Sequence, residues 1–123
     1  MSTIIASNIS DGTTSVPSTY VTNGSAKVWL NMNGTGTPTA RDSFNISSIT
    51  DSGTGVYRGN FSANMNNNSY SATTGVSESG VGGVARIAMG DGNQVNNTLI
   101  LPINTSTAID YQFITVTIHG DLA

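Results

Sequence analysis

The amino-acid sequence predicts an all-β protein: an antiparallel β-sandwich or jelly-roll-like small barrel carrying an extended N-terminal arm. Three observations lead there. Ser, Thr and Asn together make up about 38% of the 123 residues, and with 14 glycines they are poor helix formers. Apolar residues recur with period 2 in short runs, and nowhere every three to four positions over a long window. Glycine, asparagine or proline follows each run, giving strand and turn units every 8 to 15 residues or so, with no room for crossover helices between them. A chain of this length holds one hydrophobic core.

Residues 1–25 read as the arm. Ile4, Ile5 and Ile9 form its one apolar patch, and the turn-rich run Asp11 to Ser18 follows without a core pattern. Such an arm cannot bury its isoleucines against itself. It lies on its own domain, docks onto another chain, or frays as an ordinary terminus.

The β domain is expected over residues 26–123. In its first strand Ala26, Val28, Leu30 and Met32 face the core, while Lys27, Trp29, Asn31 and Asn33 face away. Trp29 is therefore expected under a loop or at a contact with a neighbour, because an indole left in water forgoes ~2 kcal/mol or more of burial. Further strands are expected over residues 43–49, 55–63, 69–74, 84–89, 98–103 and 111–120, with loops over the Asn-rich tract 64–68 and over 75–83. In the last strand Ile114, Val116 and Ile118 make one stripe and Tyr111, Phe113, Thr115 and Thr117 the other. A strand apolar on one side and aromatic at one end of the other is buried on both faces, by a subunit contact or by the domain's own loops. The candidate interface residues are Ile4, Ile5, Ile9, Trp29, Tyr111 and Phe113.

Charge and composition exclude several function classes. Lys and Arg number four and are scattered as Lys27, Arg41, Arg58 and Arg86, and the net charge is −3, so no nucleic-acid partner is expected. The absence of Cys leaves no disulfide framework and no thiolate metal site. Neither a signal-peptide pattern nor an apolar run of membrane-spanning length occurs, so a soluble chain with no membrane insertion is expected.

The chemistry-bearing motifs each have a plainer explanation. Gly80-Val81-Gly82-Gly83-Val84-Ala85 fits a dinucleotide fingerprint in form, but Ser77-Glu78-Ser79 precedes it and a strand pattern follows, so a glycine loop is expected instead. His119, the single histidine, reads as a surface strand residue; no elbow motif singles out a nucleophile for it. The acids Asp42, Asp51, Glu78, Asp91, Asp110 and Asp121 are isolated in sequence and form no metal-loop pattern. Asp91-Gly92-Asn93 reads as hairpin-turn chemistry. No catalytic residue, cofactor or metal is expected, and the chain is expected not to be an enzyme.

One stretch is more specific. Ala26-Lys27-Val28-Trp29, Asn33-Gly34-Thr35-Gly36, the run Arg41 to Asp51, Gly53-Thr54-Gly55, then Tyr57, Phe61 and Tyr70 resemble a module of tail-fibre-like virion proteins of tailed phages, especially those infecting aquatic bacteria. Met1-Ser2-Thr3-Ile4 is similar to the start of short members of that group. The likeness covers the first 70 or so residues and departs at Met32, where the family pattern has an aromatic residue. It implies a β-rich, trimeric structural protein at the virion surface, with partners among other virion proteins through the arm and host contact, including surface glycans, through its loops. Trp29, Tyr57, Tyr70 and Tyr111 are the aromatic candidates for stacking on sugars, against core or interface roles. The alternatives are a capsid decoration (cement) protein on the head surface, for which the arm would clamp shell subunits, and a soluble carbohydrate-binding module. A polysaccharide depolymerase would need a long groove and paired acids, and neither is legible.

Overall fold

Strong alternation between polar and apolar residues drives the chain into short antiparallel strands. The computed structural model describes residues 1–77, 85–86, 93–104 and 107–123. In chain order they form β1 (Asn8–Ser10), β2 (Ser15–Pro17), α1 (Ser18–Gly24), β3 (Val28–Asn33), β4 (Thr39–Phe44), β5 (Ile46–Asp51), β6 (Tyr57–Phe61), β7 (Ser71–Ser77), β8 (Ala85–Arg86), β9 (Asn97–Ile100), β10 (Ile103–Asn104), β11 (Thr107–Ala108) and β12 (Phe113–His119). The protein is mostly antiparallel β-sheet, as the sequence predicts.

Two sheets share the core. One has the order β4-β3-β12-β7, the other β5-β6-β9, and a small sheet β11-β10-β8 and the hairpin β1-β2 complete the set. Val28, Leu30 and Met32 of β3 stand beside Ile118, Val116 and Ile114 of β12 in register, all buried. Tyr57 and Phe61 of β6 and Ile100 of β9 join the same hydrophobic cluster, as do Met65, Tyr70 and Tyr111. Phe61 and Tyr70 meet edge to face with ring centroids 6.0 Å apart, a geometry the ring quadrupoles favour.

Several expected boundaries moved. Residues 43–49 are not one strand: β4 ends at Phe44 and β5 begins at Ile46, with Asn45 between them at φ 59°. Asn tolerates that left-handed region, and its side chain holds the corner by donating from Nδ2 to Ala63 O (3.0 Å) while Oδ1 accepts from Ala63 N (2.6 Å). The chain thus leaves one sheet and enters the other at a single residue. Residues 98–103 likewise divide into β9 and β10 around Leu101 and the buried Pro102, since proline has no N–H to give a ladder. Gly75 to Ser77, expected in a loop, continue β7 along β12. The remainder of that loop, with the glycine motif and Glu78, lies outside the described residues, as do Asp91 and Gly92.

The Asn-rich tract is irregular, as expected, yet it closes the core. Met65 is buried, forms an isolated bridge with Leu122, and donates its N–H to Val95 O (2.7 Å). Asn66 N to Asp121 O (2.8 Å) and Ala123 N to Asn64 O (2.9 Å) tie the C-terminal residues to the same tract.

The arm differs from the expected extended segment. Ser10, Asp11 and Gly12 turn the chain into a hairpin in which Ile9 faces Val16, and one seven-residue helix follows, an element the composition argued against. The Asp11 carboxylate accepts from Thr13 N (2.9 Å) and Thr14 N (2.7 Å), and these amides lower its pKa below the ordinary value. Residues 1–25 bury no side chain.

Candidate interaction surface

The two outer sheet faces have opposite chemistry. On the three-stranded sheet, Ser48 and Thr50 of β5, Arg58 and Asn60 of β6 and Asn97 of β9 point outward in register. They satisfy each other: Asn60 Nδ2 donates to Ser48 Oγ and Thr50 Oγ1 (both 2.9 Å), and Arg58 donates to Asn97 Oδ1 (3.0 Å). Apart from the half-buried Leu99 opposite Arg58, this face is polar and internally hydrogen-bonded.

On the four-stranded sheet the outward positions form a row across all four strands, Phe44 of β4, Trp29 of β3, Thr117 of β12 and Thr73 of β7. Trp29 lies opposite the core stripe, as its position in the strand predicts, and is 36% exposed; Phe44 is 53% exposed. Phe113, further along β12, is 40% exposed and carries the Arg41 guanidinium 4.2 Å from its ring centroid. A register shift between Asn31 and Met32 makes Arg41 the extra residue of β4, and such a bulge re-aims a side chain. Arg41 also donates to Met32 O (2.8 Å), which fixes the cation over the ring. Beneath this layer, Asn31 Oδ1 is buried without a hydrogen-bond partner.

Of the six expected interface residues, Trp29 and Phe113 share this face, while Ile4, Ile5 and Ile9 project from the arm, the first two 93% and 94% exposed. Tyr111 is a correction: it is 2% exposed and belongs to the core. Period 2 assigned it to the outer face, but β12 begins only at Phe113. Tyr111 precedes the strand in irregular chain, where its carbonyl accepts from Gly34 N (2.9 Å). Tyr57 and Tyr70 are buried too, so Trp29 alone of the four aromatic candidates is open to a sugar ring. Phe44, which the sequence reading missed, is the other aromatic of the row. Its signal was its spacing from the Asn45 corner, detectable only once the corner is known.

The polar constellation around Tyr57 is structural. Tyr57 Oη donates to an Asp110 carboxylate oxygen and is also 3.0 Å from Gly34 O, and the same Asp110 oxygen accepts from Gly55 N at 2.6 Å. Burial, then the hydrogen bond to Asp110 and its negative charge, push the Tyr57 phenol well above its ordinary pKa. The phenol is fully covered and Gly34 allows no side chain there: a Cβ would lie 2.8 Å from both Tyr57 Oη and Ile114 Cδ1. A substrate has no route to it. The cluster pins three loops at one end of the core.

His119 is exposed and pairs with Ser71 in the ladder, as expected of a surface strand residue. Among the described residues no group of three or more His, Cys, Asp or Glu could hold a metal ion, and no helix is long and apolar enough to cross a membrane. Compared with protein-family models, with curated proteins and with solved structures, the chain matches none.

Proposed function

We propose that this chain is a structural module of a virus particle, a tail-fibre-type surface protein whose β-sandwich assembles as a homotrimer through its arm. The observation that carries the reading is the contrast between a body with a closed core and an arm whose apolar side chains are all uncovered. Monomeric proteins rarely leave such a set in water, and an assembly module requires one. The two sheets that feed one cluster support the sandwich. The scarcity of charge supports a particle exposed to variable salt, because uncharged contacts are screened little. A small domain also gains from subunit burial what its own core cannot supply.

Light scattering of the purified chain at micromolar concentration tests the assembly and is expected to give three times the 12.7 kDa chain mass. A stable monomer would overturn it. Antibody labelling of particles places the protein: label on the tail agrees with the proposal, and label over the head lattice turns it into a decoration protein. Binding of the trimer to host-surface glycans, probed on a glycan array, is expected to depend on its loops.

A further inference from the structure

We infer that the arm of one copy docks on the outer face of the four-stranded sheet of the next copy, with the β1-β2 hairpin laid across the Phe44-Trp29-Thr117 row and the preceding isoleucines towards Phe113. This inference rests on the assembly reading above and names its contact surface.

The arm demands a cover. A seven-residue helix without a side-chain cap is far below the length at which isolated helices persist in water, and a lone two-stranded hairpin is marginal. Yet Ile9, Val16, Tyr20 and Val21 are all exposed, so beyond the hydrogen bonds of the turn no described residue covers the apolar side of either element. The cover must come from outside.

The sheet face fits that need in size and polarity. Four strands at ~4.8 Å spacing make the row about 14 Å wide, while a three-residue strand is about 10 Å long and a hairpin ~5 Å across. Ile9 and Val16 form one cross-strand apolar pair, and the row offers two aromatic rings with threonine methyl groups beside them. Between Ser2 and Ser25 the sole charged side chain is Asp11, whose carboxylate is held by its own turn, and the charges of the face, Asp42 opposite Asn31 and Arg41 over Phe113, lie outside the Phe44-Trp29-Thr117 row. Among the described residues of the body the other exposed large apolar side chains are Val95 and Leu122, which belong to no strand of this sheet.

Arm and face are different surfaces, so the contact is head-to-tail. It closes as a reciprocal pair or as a ring, and the homotrimer is the ring.

The lack of cysteine makes a direct test available. Full-length Ile9→Cys and Thr117→Cys chains are produced separately and co-expressed, then treated with a short bis-maleimide and separated by denaturing electrophoresis. The mixture is expected to give a covalent dimer that neither variant gives alone, and the chain carrying both cysteines is expected to give covalent trimer. Linking of Ile9→Cys to itself, which means arm against arm, or of Thr117→Cys to itself, which means face against face, overturns the inference. So does a doubly substituted chain that links only within one copy. Light scattering on the same samples separates the two failures: an oligomer with no arm-to-face link refutes this contact alone, and a monomer refutes assembly itself.

Discussion

Residues 1–25 and the body that follows are both built from short apolar runs between polar ones, yet they use them in opposite ways. In the body, β3 and β12 set six aliphatic side chains side by side and cover them with Tyr57, Phe61 and Ile100 of the second sheet. In the arm, Ile9 and Val16 are paired across a hairpin with nothing above them. A strand pair alone has one exposed apolar face; only a second layer removes that face from water. The body is stabilised by its own sequence, and the arm by whatever it meets.

That difference can be broken most forcefully inside the body. Gly55 sits at φ 61° with its N–H on Asp110, and a Cβ there would press into the backbone of Ile109 and Ala108. Gly55→Ala is expected to cost about 3 kcal/mol or more in urea unfolding. A wild-type midpoint would show that the loop cluster is not part of the folded core.

Next comes the aromatic face. Trp29→Ala is expected to weaken assembly about 30-fold or more by sedimentation, as a central interface aromatic does, while the monomer keeps its fold. Asn60→Ala on the polar face is expected to leave assembly unchanged. Loss of monomer folding in Trp29→Ala before any loss of assembly would assign the indole to the body instead.

Removing only the hydroxyl in Tyr57→Phe leaves the ring packed and is expected to cost about 1.5–3 kcal/mol, since the lost hydrogen bond is to a carboxylate. A related effect follows with pH. Burial is the leading cause of a raised pKa at both Tyr57 and Tyr70. Groups whose folded pKa is raised contribute stability that is whole below the unfolded value, here 10.0, and is lost as pH rises through the folded values. Urea midpoints should therefore hold up to about pH 10 and fall above it, with a shallower fall in Tyr57→Phe. A flat profile into the alkaline range, with phenolate absorbance rising for all tyrosines together, would contradict the buried donor.

The smallest effect sharpens the comparison from the other side. Deleting residues 1–24 is expected to change unfolding of the dilute, monomeric body by less than about 0.5 kcal/mol, because no arm side chain is buried there. A clear drop in the midpoint would mean that the arm belongs to the body after all.

Local periodicity carried a long way here. Alternation in Val28-Trp29-Leu30-Asn31-Met32 and in Ile114 to Ile118 is enough to set which side chains enter the core, because side-chain direction in a strand has a fixed period of two. The turn at Asp11-Gly12 was also legible. By itself the sequence determined an antiparallel β body, a distinct N-terminal segment, the core stripe of β3 and the outward place of Trp29.

Period 2 fails wherever the chain leaves the strand, and those are the places only the tertiary structure decided. Asn45 breaks an apparently continuous strand through its clamp on Ala63, 18 residues away. Met65 enters the core from an asparagine tract because Val95 and the C-terminal residues hold its backbone in place. Tyr111 turns inward ahead of β12, and the bulge at Arg41 brings a cation over Phe113 from a strand two places away in the sheet. Each depends on a partner distant in sequence, and hydrogen bonds and packing between such partners exist only after the sheets have met.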